Sequence, residues 1–495
     1  MSKLGDALNG SARTENGALQ NTTSGSRCLD FFTMAGSARK SNQPAENIRQ
    51  AYELAYGEDP ILANMTLLWA YDCRGGAGSR DVMTAVLPVF LLKHPQADAL
   101  KLLNAIPVLG RYDMLSDQLN HSDLPEVYAK HIMAILANAL ANTETAALCA
   151  KWLPRKGTAA NRMKGWLKCE NPKAYRKMLS QYKTTETFMS AKKWGDIAYE
   201  HVPSVCFARS KNAFRKHDEA RFDKFTEKVV SGETKVNAGV VFPHDVVRSL
   251  LKHSGWSISV DNKPEVIRAA EAQWKSLPDL FEGTNRSIFP IVDVSGSMYD
   301  EKSSGSLMAV DIALSLGLYC AERQRSAFKD ELLCFSGRPT ICQLKGDLAH
   351  KLDIMLHTPD NCNTNLGLAI SVIVEAAKRH HMKQEDLPDA LLVLSDMQFD
   401  EMRRYGAETS PVQYIQSMFR DAGYQAPVIV YWNLEARKGT GTPVLTKDKG
   451  IIMVSGFSTS VLKGIMKGVD LESRVDPMQV MLSTVVQDRY DLNKY

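Results

Sequence analysis

The stretch Phe289-Pro-Ile-Val-Asp-Val-Ser-Gly-Ser-Met298 decides how the C-terminal half of this chain folds. Its apolar part, residues 288–292, predicts a short buried strand, because strands covered on both faces read as continuous apolar runs. The strand ends in Asp-x-Ser-Gly-Ser, and residues 303–323 then show apolar positions at helical spacing. A strand, an oxygen-rich loop and a helix in this order place the loop at the carboxyl edge of a parallel sheet, where open α/β sheets bind ligands.

Two further segments bring oxygen side chains to the same edge. Asn363-Thr-Asn365 precedes a predicted helix, and the apolar run 390–394 predicts a second strand that ends in Ser-Asp. An isolated Asp-x-Ser-x-Ser pattern indicates no more than a turn. Together, however, the three loops supply carboxylate and hydroxyl oxygens, which hard divalent cations select. The predicted cation is Mg²⁺, or another divalent cation such as Mn²⁺. Its predicted ligands are Asp293, Ser295, Ser297, Thr364 and Asp396.

This pattern resembles the metal-ion-dependent adhesion site (MIDAS) of von Willebrand factor A (vWA) domains. The shared order is Asp-x-Ser-x-Ser, then a threonine before Asn-Leu-Gly, then an aspartate after a strand. Met397 departs from the family pattern, because glycine is common at this position. The resemblance implies that five protein ligands hold the cation and leave one coordination position open. A carboxylate of an acidic protein partner would complete it.

Composition limits the remaining possibilities. The 495 residues are 44% hydrophobic and 23% charged, which is typical of a soluble protein of two or three domains. The nine cysteines form no Cys-x-x-Cys pair and no zinc-binding spacing, which favours reduced thiols in the cytoplasm. No apolar run approaches the length of about 18 residues that a membrane span needs, and no signal peptide is evident.

Positive charge is concentrated in residues 151–225, which we call the basic span. The span contains 18 basic and 7 acidic residues, a net charge of +11, whereas residues 287–495 contain 22 basic and 26 acidic residues. Aromatic residues are interleaved with these cations, and that combination suits phosphate neutralisation with base stacking. The alternative is a solvated basic face on helices whose aromatic side chains lie in the core.

The region before residue 278 predicts one helix after another. Apolar residues recur at helical spacing over 47–56, 60–72, 82–92, 96–103, 125–140 and 144–152, with short turns between them. This array indicates stacked helical hairpins, although no clean sequence period is present. A glycine-rich loop at 74–81 could hold a phosphate. It lacks a P-loop ending and follows no strand, so helix termination is the favoured role.

Short motifs of the N-terminal half are similar to those of the TROVE domain, which Ro ribonucleoproteins and telomerase-associated proteins share. These motifs are Thr14-Glu-Asn-Gly-Ala18 with Thr23-Ser-Gly25, Asp72-Cys-Arg-Gly-Gly-Ala-Gly-Ser-Arg80, Gly110-Arg-Tyr-Asp-Met-Leu115 and Trp152-Leu-Pro154. Two others, Lys193-Trp-Gly-Asp-Ile-Ala-Tyr-Glu200 and Ala213-Phe-Arg-Lys-His-Asp218, look more like a branch found in plants, large viruses and phages. In both groups a helical domain precedes a vWA domain.

The resemblance implies a ring of helical repeats closed by the vWA domain, with small structured RNA on its basic outer face and single-stranded RNA ends in its central hole. It implies a ribonucleoprotein component rather than an enzyme. The absence of a general base beside the metal loops also favours a non-catalytic role. The candidate RNA contacts, chosen by composition, are Lys151, Arg155, Lys156, Arg162, Lys164, Arg176, Lys192, Lys193, Arg209, Lys211, Arg215 and Lys216. The alternative function is a metal-dependent interaction adaptor, for example for an AAA+ ATPase, that binds no RNA.

The predicted fold class is α + α/β, with an all-α HEAT-like helical repeat followed by a doubly wound α/β domain of the vWA type. The predicted parts are a flexible arm at 1–27, the helical domain at 28–277, a linker at 278–287, the vWA domain at 288–470, and a C-terminal helix at 471–495 that packs on the body. We expect a cytoplasmic monomer that binds RNA and an acidic protein partner.

Overall fold

A computed structural model of the chain shows a helix-rich N-terminal part and a six-stranded α/β sheet, which confirms the predicted fold class. The residues that it describes are 11–38, 44–182, 184–202, 204–230, 242–254, 257–283, 286–299, 307–335, 337–357, 363–404, 407–436, 441–456, 461–462 and 475–495. Within these ranges, no helix has both the length and the apolar character needed to cross a membrane.

The N-terminal part is a succession of helices joined by short turns. Of the six helices whose bounds were predicted, five begin and end within two residues of the prediction, and the one predicted at 96–103 extends to Leu109. Their bounds are α1 (Arg27–Ala35), α2 (Ala45–Glu58), α3 (Pro60–Tyr71), α4 (Arg80–Lys93), α5 (Gln96–Leu109), α6 (Asp113–Gln118), α7 (Glu126–Ala141), α8 (Ala146–Trp152), α9 (Thr158–Trp166), α10 (Pro172–Ser180), α11 (Thr184–Ser190), α12 (Ser204–Val230), α13 (Pro243–Arg248) and α14 (Pro264–Lys275). The start of α3 shows why the sequence marks these ends. The Asp59 carboxylate accepts hydrogen bonds from two free N–H groups of the first turn, which Pro60 opens.

The α/β part is built on one six-stranded sheet. Its strands are β5 (Ile288–Asp293), β6 (Glu331–Phe335), β7 (Thr340–Gln343), β8 (Ala390–Ser395), β11 (Val428–Asn433) and β12 (Ile451–Ser455). The strand order is β12-β11-β8-β5-β6-β7. All neighbours in it are parallel except the edge strand β7, which pairs antiparallel with β6. Among the described residues, three antiparallel strand pairs lie outside the sheet: β1 (Ser11–Arg13) with β2 (Leu19–Asn21), β3 (Leu251–Ser254) with β4 (Ser257–Val260), and β9 (Arg403–Arg404) with β10 (Ala407–Glu408).

Helices cover both faces of the sheet. They are α15 (Ala309–Arg323), α16 (Leu348–Leu356), α17 (Leu366–Arg379), α18 (Pro411–Asp421) and, near the C-terminus, α19 (Pro477–Val485). Val292 and Leu394 belong to a core that α15 shares with the N-terminal helices, whereas Ile291 and Val393 belong to a second core with α17 and α18. Alternate strand residues point to opposite faces, so helices on both sides require the continuous apolar strands that the sequence contains. A Cβ at Gly317 would lie 2.4 Å from Val292 Cγ2, so the close approach of α15 to β5 requires glycine there.

The chain changes direction across the sheet between β5 and β8. After β5 it forms β6 and β7 on one side, returns through α16 and α17 to β8, and continues to β11 and β12 on the other side. Connections that leave two neighbouring parallel strands in opposite directions open a crevice at their carboxyl ends. Residues 293–299, which we call the first loop, and 396–402, the third loop, lie at this crevice. The second loop, residues 363–365, precedes α17.

The N-terminal segment differs from the flexible arm predicted for residues 1–27. Residues 11–21 form the β1–β2 hairpin, which we call the N-terminal hairpin, and Ala18 within it is fully buried in the core of the α/β part. Residues 1–10 of the predicted arm lie outside the described residues, as do residues 303–306 of the helix predicted at 303–323.

The C-terminal segment packs on the N-terminal helices. Asp72, at the end of α3, is fully buried, and its carboxylate accepts hydrogen bonds from Arg489 Nε at 2.5 Å and Nη2 at 3.0 Å. The Tyr490 hydroxyl donates to the same carboxylate at 3.2 Å, and the Asn104 amide donates to the backbone oxygen of Tyr495 at 2.9 Å. Both ends of the described chain therefore contact the half of the molecule that is distant in sequence.

Candidate functional site

The carboxyl end of β5 places Asp293 in the crevice beside β8. This side chain is fully buried. Its Oδ1 accepts the backbone N–H of Ser295 at 2.9 Å, and its Oδ2 accepts the hydroxyl of Ser395, the last residue of β8, at 2.5 Å. Each carboxylate oxygen can accept about two hydrogen bonds or metal contacts. Both oxygens of Asp293 are therefore oriented by one donor and retain acceptor capacity.

The first loop presents two hydroxyls next to this carboxylate. The backbone N–H of Met298 donates to the Ser295 carbonyl at 3.0 Å and closes a 3₁₀ turn over Gly296–Tyr299. The turn brings the hydroxyl oxygens of Ser295 and Ser297 to 3.3 Å from each other. Ser295 is fully buried, whereas Ser297 is half-buried. The first loop thus directs a carboxylate and two hydroxyls to one place, as the Asp-x-Ser-x-Ser spacing predicts.

The second and third loops are attached to each other. Thr364 donates its backbone N–H to Asp400 Oδ1 at 3.1 Å and accepts the backbone N–H of Asp400 at 3.0 Å. Asp396, which follows β8 directly, accepts the backbone N–H of Gln398 at 3.2 Å. Thr364 is 1% exposed and Asp396 is 2% exposed. The structure therefore buries both predicted ligands and joins their loops through backbone hydrogen bonds.

Sequence reasoning missed three side chains that hold these loops in place. Ser395 orients Asp293, Asp400 holds Thr364, and Asn16 of the N-terminal hairpin donates to the Thr364 hydroxyl at 3.3 Å. The Ser-Asp sequence at the end of β8 and the TROVE-like motif around Asn16 were the only signals in the sequence. Neither signal could predict the contact between Asn16 and Thr364, because 348 positions separate these residues in the sequence.

Burial and the neighbouring charge of Asp396 raise the pKa of Asp293 to about 7, although hydrogen bonds from Ser295 and Ser395 act in the opposite direction. Two carboxyl groups that share a buried place do not readily ionise together, and a divalent cation between them would remove the repulsion. In the part of the chain that the structure describes, no three His, Cys, Asp or Glu side chains form a group that could hold a metal ion. A cation in this crevice would therefore need the hydroxyls of Ser295, Ser297 and Thr364 beside the two carboxylates.

The predicted RNA contacts lie on two separate packing units. Residues 151–182 pack on the large core of the N-terminal helices, whereas residues 197–225 surround a separate aromatic core together with Ala272. The exposed members of the set are Lys151, Lys156, Arg176, Lys192, Lys193, Arg209 and Lys216. The half-buried members are Arg155, Arg162, Lys164, Lys211 and Arg215. The basic span is therefore contiguous in sequence but divided between two units in space.

Two of the half-buried residues are poorly placed to contact a phosphate. Lys211 Nζ is enclosed and has no hydrogen-bond partner among the described residues, and burial lowers the pKa of its ammonium group. Arg215 forms ion pairs with Glu219 and Asp223, each at 3.7 Å. The exposed members of the set are better placed for RNA.

Six of the eleven aromatic side chains of the basic span are buried, as the alternative interpretation expected. These six are at most 5% exposed: Tyr175, Tyr199, Phe207, Phe214, Phe222 and Phe225. Trp166 differs, because it is 40% exposed and lies on α9 with Arg162 and Lys164. The Trp152 ring is covered by the Arg111 guanidinium, whose Cζ lies 3.6 Å from the ring centroid. Trp166 is therefore the better candidate for base stacking.

Two family comparisons match this chain. Residues 132–282 match a family described as "Domain of unknown function (DUF2828)", and residues 287–492 match one described as "Domain of unknown function (DUF7788)". The chain is also 26% identical to "Uncharacterized protein L728" of Acanthamoeba polyphaga mimivirus over 528 aligned positions, which cover 97% of this chain and 88% of that protein. Among solved structures, the RO (RSR) protein of Deinococcus radiodurans is similar, with 14% sequence identity and a TM-score of 0.49 over 94% of this chain and 100% of that one. The two family matches divide the chain between residues 282 and 287, and neither description names a function.

Proposed function

We propose that this chain is a non-catalytic RNA-binding protein whose α/β part binds a divalent cation and, through it, a carboxylate of an acidic protein partner. The observation that carries the proposal is the group of buried oxygen side chains at the crevice between β5 and β8. Asp293 and Ser295 are fully buried there, and Thr364 and Asp396 are at most 2% exposed. Burying two acidic groups together is costly unless a cation neutralises them.

Mg²⁺ or Mn²⁺ is the cation that this donor set favours, because all five donors are carboxylate or hydroxyl oxygens. The ligands would be Asp293, Ser295, Ser297, Thr364 and Asp396, in line with the MIDAS-like motif. When bound, the cation would offer a positive charge to a carboxylate oxygen of a partner. Ser297 is only half-buried, so it lies on the solvent-accessible side of the five proposed ligands. A partner could reach the cation from this side.

The RNA part of the proposal is supported by the charge and exposure of the basic span. Seven of its twelve candidate contacts are exposed, and the span carries a net charge of +11. Cations on a surface neutralise phosphates, and an exposed tryptophan such as Trp166 offers a stacking platform for an unpaired base. The TROVE-like motifs favour RNA as the nucleic acid.

Titration of the purified full chain with a fluorescent single-stranded oligoribonucleotide and, separately, with Mn²⁺ tests the proposal. We expect RNA affinity that falls steeply as salt rises, and one bound Mn²⁺ detected as loss of the free-ion electron paramagnetic resonance signal. RNA binding with the same affinity at all salt concentrations would contradict the electrostatic mechanism. Absence of Mn²⁺ binding would contradict the cation site.

The alternative is a metal-dependent interaction adaptor, for example for an AAA+ ATPase, that binds no RNA. The buried aromatic side chains of the basic span and the ion-paired Arg215 favour this alternative, because they reduce the surface open to RNA. Mn²⁺ binding without any RNA binding in the same titrations would support the adaptor over the RNA-binding protein.

A further inference from the structure

The N-terminal hairpin is hydrogen-bonded along the third loop, which carries Asp396. The Thr14 hydroxyl donates to the Phe399 carbonyl at 2.6 Å, and the backbone N–H of Glu15 donates to Gln398 Oε1 at 2.8 Å. The backbone N–H of Glu401 donates to the Asn16 carbonyl at 3.2 Å. The hairpin therefore acts as a second support for the third loop, in addition to the end of β8.

One side chain of the hairpin reaches beyond the third loop to the second loop. Asn16 Nδ2 donates to the Gln398 carbonyl at 2.7 Å and to Thr364 Oγ1 at 3.3 Å. A single amide group thus connects the loop of Asp396 with the hydroxyl of Thr364, which is 1% exposed. A hydroxyl oxygen has two lone pairs, so a hydrogen bond from Asn16 occupies one of them and limits the direction of the other.

We infer that Asn16 is a positioning residue for the cation site, and this role presupposes the site proposed above. Asn16 itself supplies no ligand in this scheme. It fixes the spacing between the second and third loops and the rotation of the Thr364 hydroxyl, so that this oxygen and the Asp396 carboxylate face the same place. The N-terminal hairpin then sets the affinity of the site for its cation. Groups that orient metal ligands in this way typically change metal affinity about 10- to 100-fold when they are removed.

Mn²⁺ titration of the full chain, followed by electron paramagnetic resonance, tests this role. Asn16→Ala removes both amide contacts, and Asn21→Ala is the matched control. Asn21 lies on the same hairpin, and its amide lies 3.4 Å from the Thr442 carbonyl, away from the three loops. We expect Asn16→Ala to weaken Mn²⁺ binding about tenfold and Asn21→Ala to leave it unchanged. Asn16→Gln, which keeps the amide group on a longer side chain, should recover part of the affinity.

Thermal unfolding of the cation-free variants separates positioning from folding. Asn16 is an exposed residue, so Asn16→Ala should unfold at nearly the wild-type temperature without Mn²⁺ and should show a smaller rise than wild type when Mn²⁺ is added. Unchanged Mn²⁺ affinity in folded Asn16→Ala would overturn the role of Asn16 and leave the cation site intact. Failure of the wild-type chain to bind Mn²⁺ would overturn both the cation site and the role of Asn16.

Discussion

Asp293 combines a structural cost with a role in the proposed cation site. Its carboxylate is fully buried beside the charge of Asp396, and its two hydrogen-bond donors, Ser295 and Ser395, compensate only in part. Removing the charge should relieve this cost in the cation-free protein and remove a carboxylate ligand of the proposed cation site. The same substitution therefore has opposite consequences with and without a bound cation.

Replacement of Asp293 by asparagine should abolish stabilisation by Mg²⁺. A ligand that binds only the folded state stabilises it by about 2.7 kcal/mol at 100 times its dissociation constant, and the wild-type unfolding temperature should rise accordingly. Asp389→Asn is the matched control, because Asp389 lies at the opposite end of the same strand pair, where it accepts hydrogen bonds from Ser287. An equal Mg²⁺ response in Asp293→Asn and in wild type would place the cation elsewhere.

The raised pKa of Asp293 also predicts how stability depends on pH. The folded state keeps the Asp293 proton up to about pH 7, whereas the unfolded chain releases it near the ordinary aspartate pKa of 3.8. The cation-free protein should therefore lose stability as pH rises between these values, because the native state binds more protons there. Saturating Mg²⁺, which binds the ionised form, should remove this loss at neutral pH. Urea unfolding at about pH 5 and pH 7.5, with and without Mg²⁺, measures this change in the free energy of unfolding. The Asp293→Asn variant should lack the pH dependence that Asp293 contributes.

The backbone conformation of Met397 could not be predicted from its residue type. It has φ of 64°, in the left-handed region that glycine favours, and its side chain is 3% exposed in the core with α17 and α18. Glycine is common at the corresponding position of the vWA motif that this sequence resembles. The structure shows that the third loop keeps the backbone conformation for which glycine is suited, while the methionine side chain gains burial. Sequence alone reveals the departure but not this compensation.

At the scale of elements, the exposed cations of α12 and of the segment that follows α11 are the most specific RNA prediction. Replacing Lys192, Lys193, Arg209 and Lys216 together by glutamine should weaken RNA binding. The salt dependence of log affinity should become shallower by about 0.7 for each phosphate of single-stranded RNA that the variant no longer neutralises. The quantity to measure is fluorescence anisotropy of a labelled oligoribonucleotide across a salt series.

The control for this experiment carries the same change of charge on the α/β part. Lys345, Lys378, Arg379 and Lys383 are also exposed, and their replacement by glutamine should leave the salt dependence unchanged. An unchanged slope in the variant of the basic span would direct attention to Lys151, Lys156 and Arg176, which belong to the other packing unit. If the two variants weakened RNA binding equally, RNA affinity would depend on the net charge of the protein and not on a defined RNA-binding surface.

Elements that bury a regular apolar pattern were predictable. The strand predicted at 288–292 and the helix predicted at 125–140, which is α7 (Glu126–Ala141), follow from apolar residues at the spacing of a buried strand or of one helix face. The N-terminal hairpin was not predictable in this way. Its residues are small and polar, and its order depends on hydrogen bonds to residues such as Phe399 and Thr442, which are remote in sequence. The positions of Asp293 and Asp396 followed from the strand ends and that of Thr364 from the start of a predicted helix, but the side chains that support them did not.

At the scale of the whole molecule, the ion pair between Asp72 and Arg489 joins the N-terminal helices to the C-terminal segment. Arg489→Gln should lower the free energy of unfolding by about 3 kcal/mol, because Asp72 is fully buried and would be deprived of its cation. Asp72→Asn combined with Arg489→Gln should recover part of this stability, since no buried charge remains. Urea denaturation provides the measurement.

The matched control is Lys494→Gln on the same C-terminal segment. Lys494 forms an ion pair with Asp488 at 3.5 Å, and the two side chains are 55% and 95% exposed. Pairs this exposed contribute at most about 1 kcal/mol, so the control should unfold almost as wild type does. Similar destabilisation in Arg489→Gln and Lys494→Gln would show that Arg489 is not needed to stabilise the buried carboxylate of Asp72.

The contacts of the C-terminal segment with the N-terminal helices, and of the N-terminal hairpin with the α/β part, have a consequence for folding during synthesis on the ribosome. Synthesis runs from the N-terminus, and early domains commonly fold while later ones are still being made. Here the helical half emerges with an aspartate whose arginine is 417 positions away, and the hairpin emerges long before the sheet on which it packs. Neither half can reach its final packing until Arg489 has been synthesised, so a nascent chain stalled in the sheet region is an incomplete substrate for folding and an early target for chaperones.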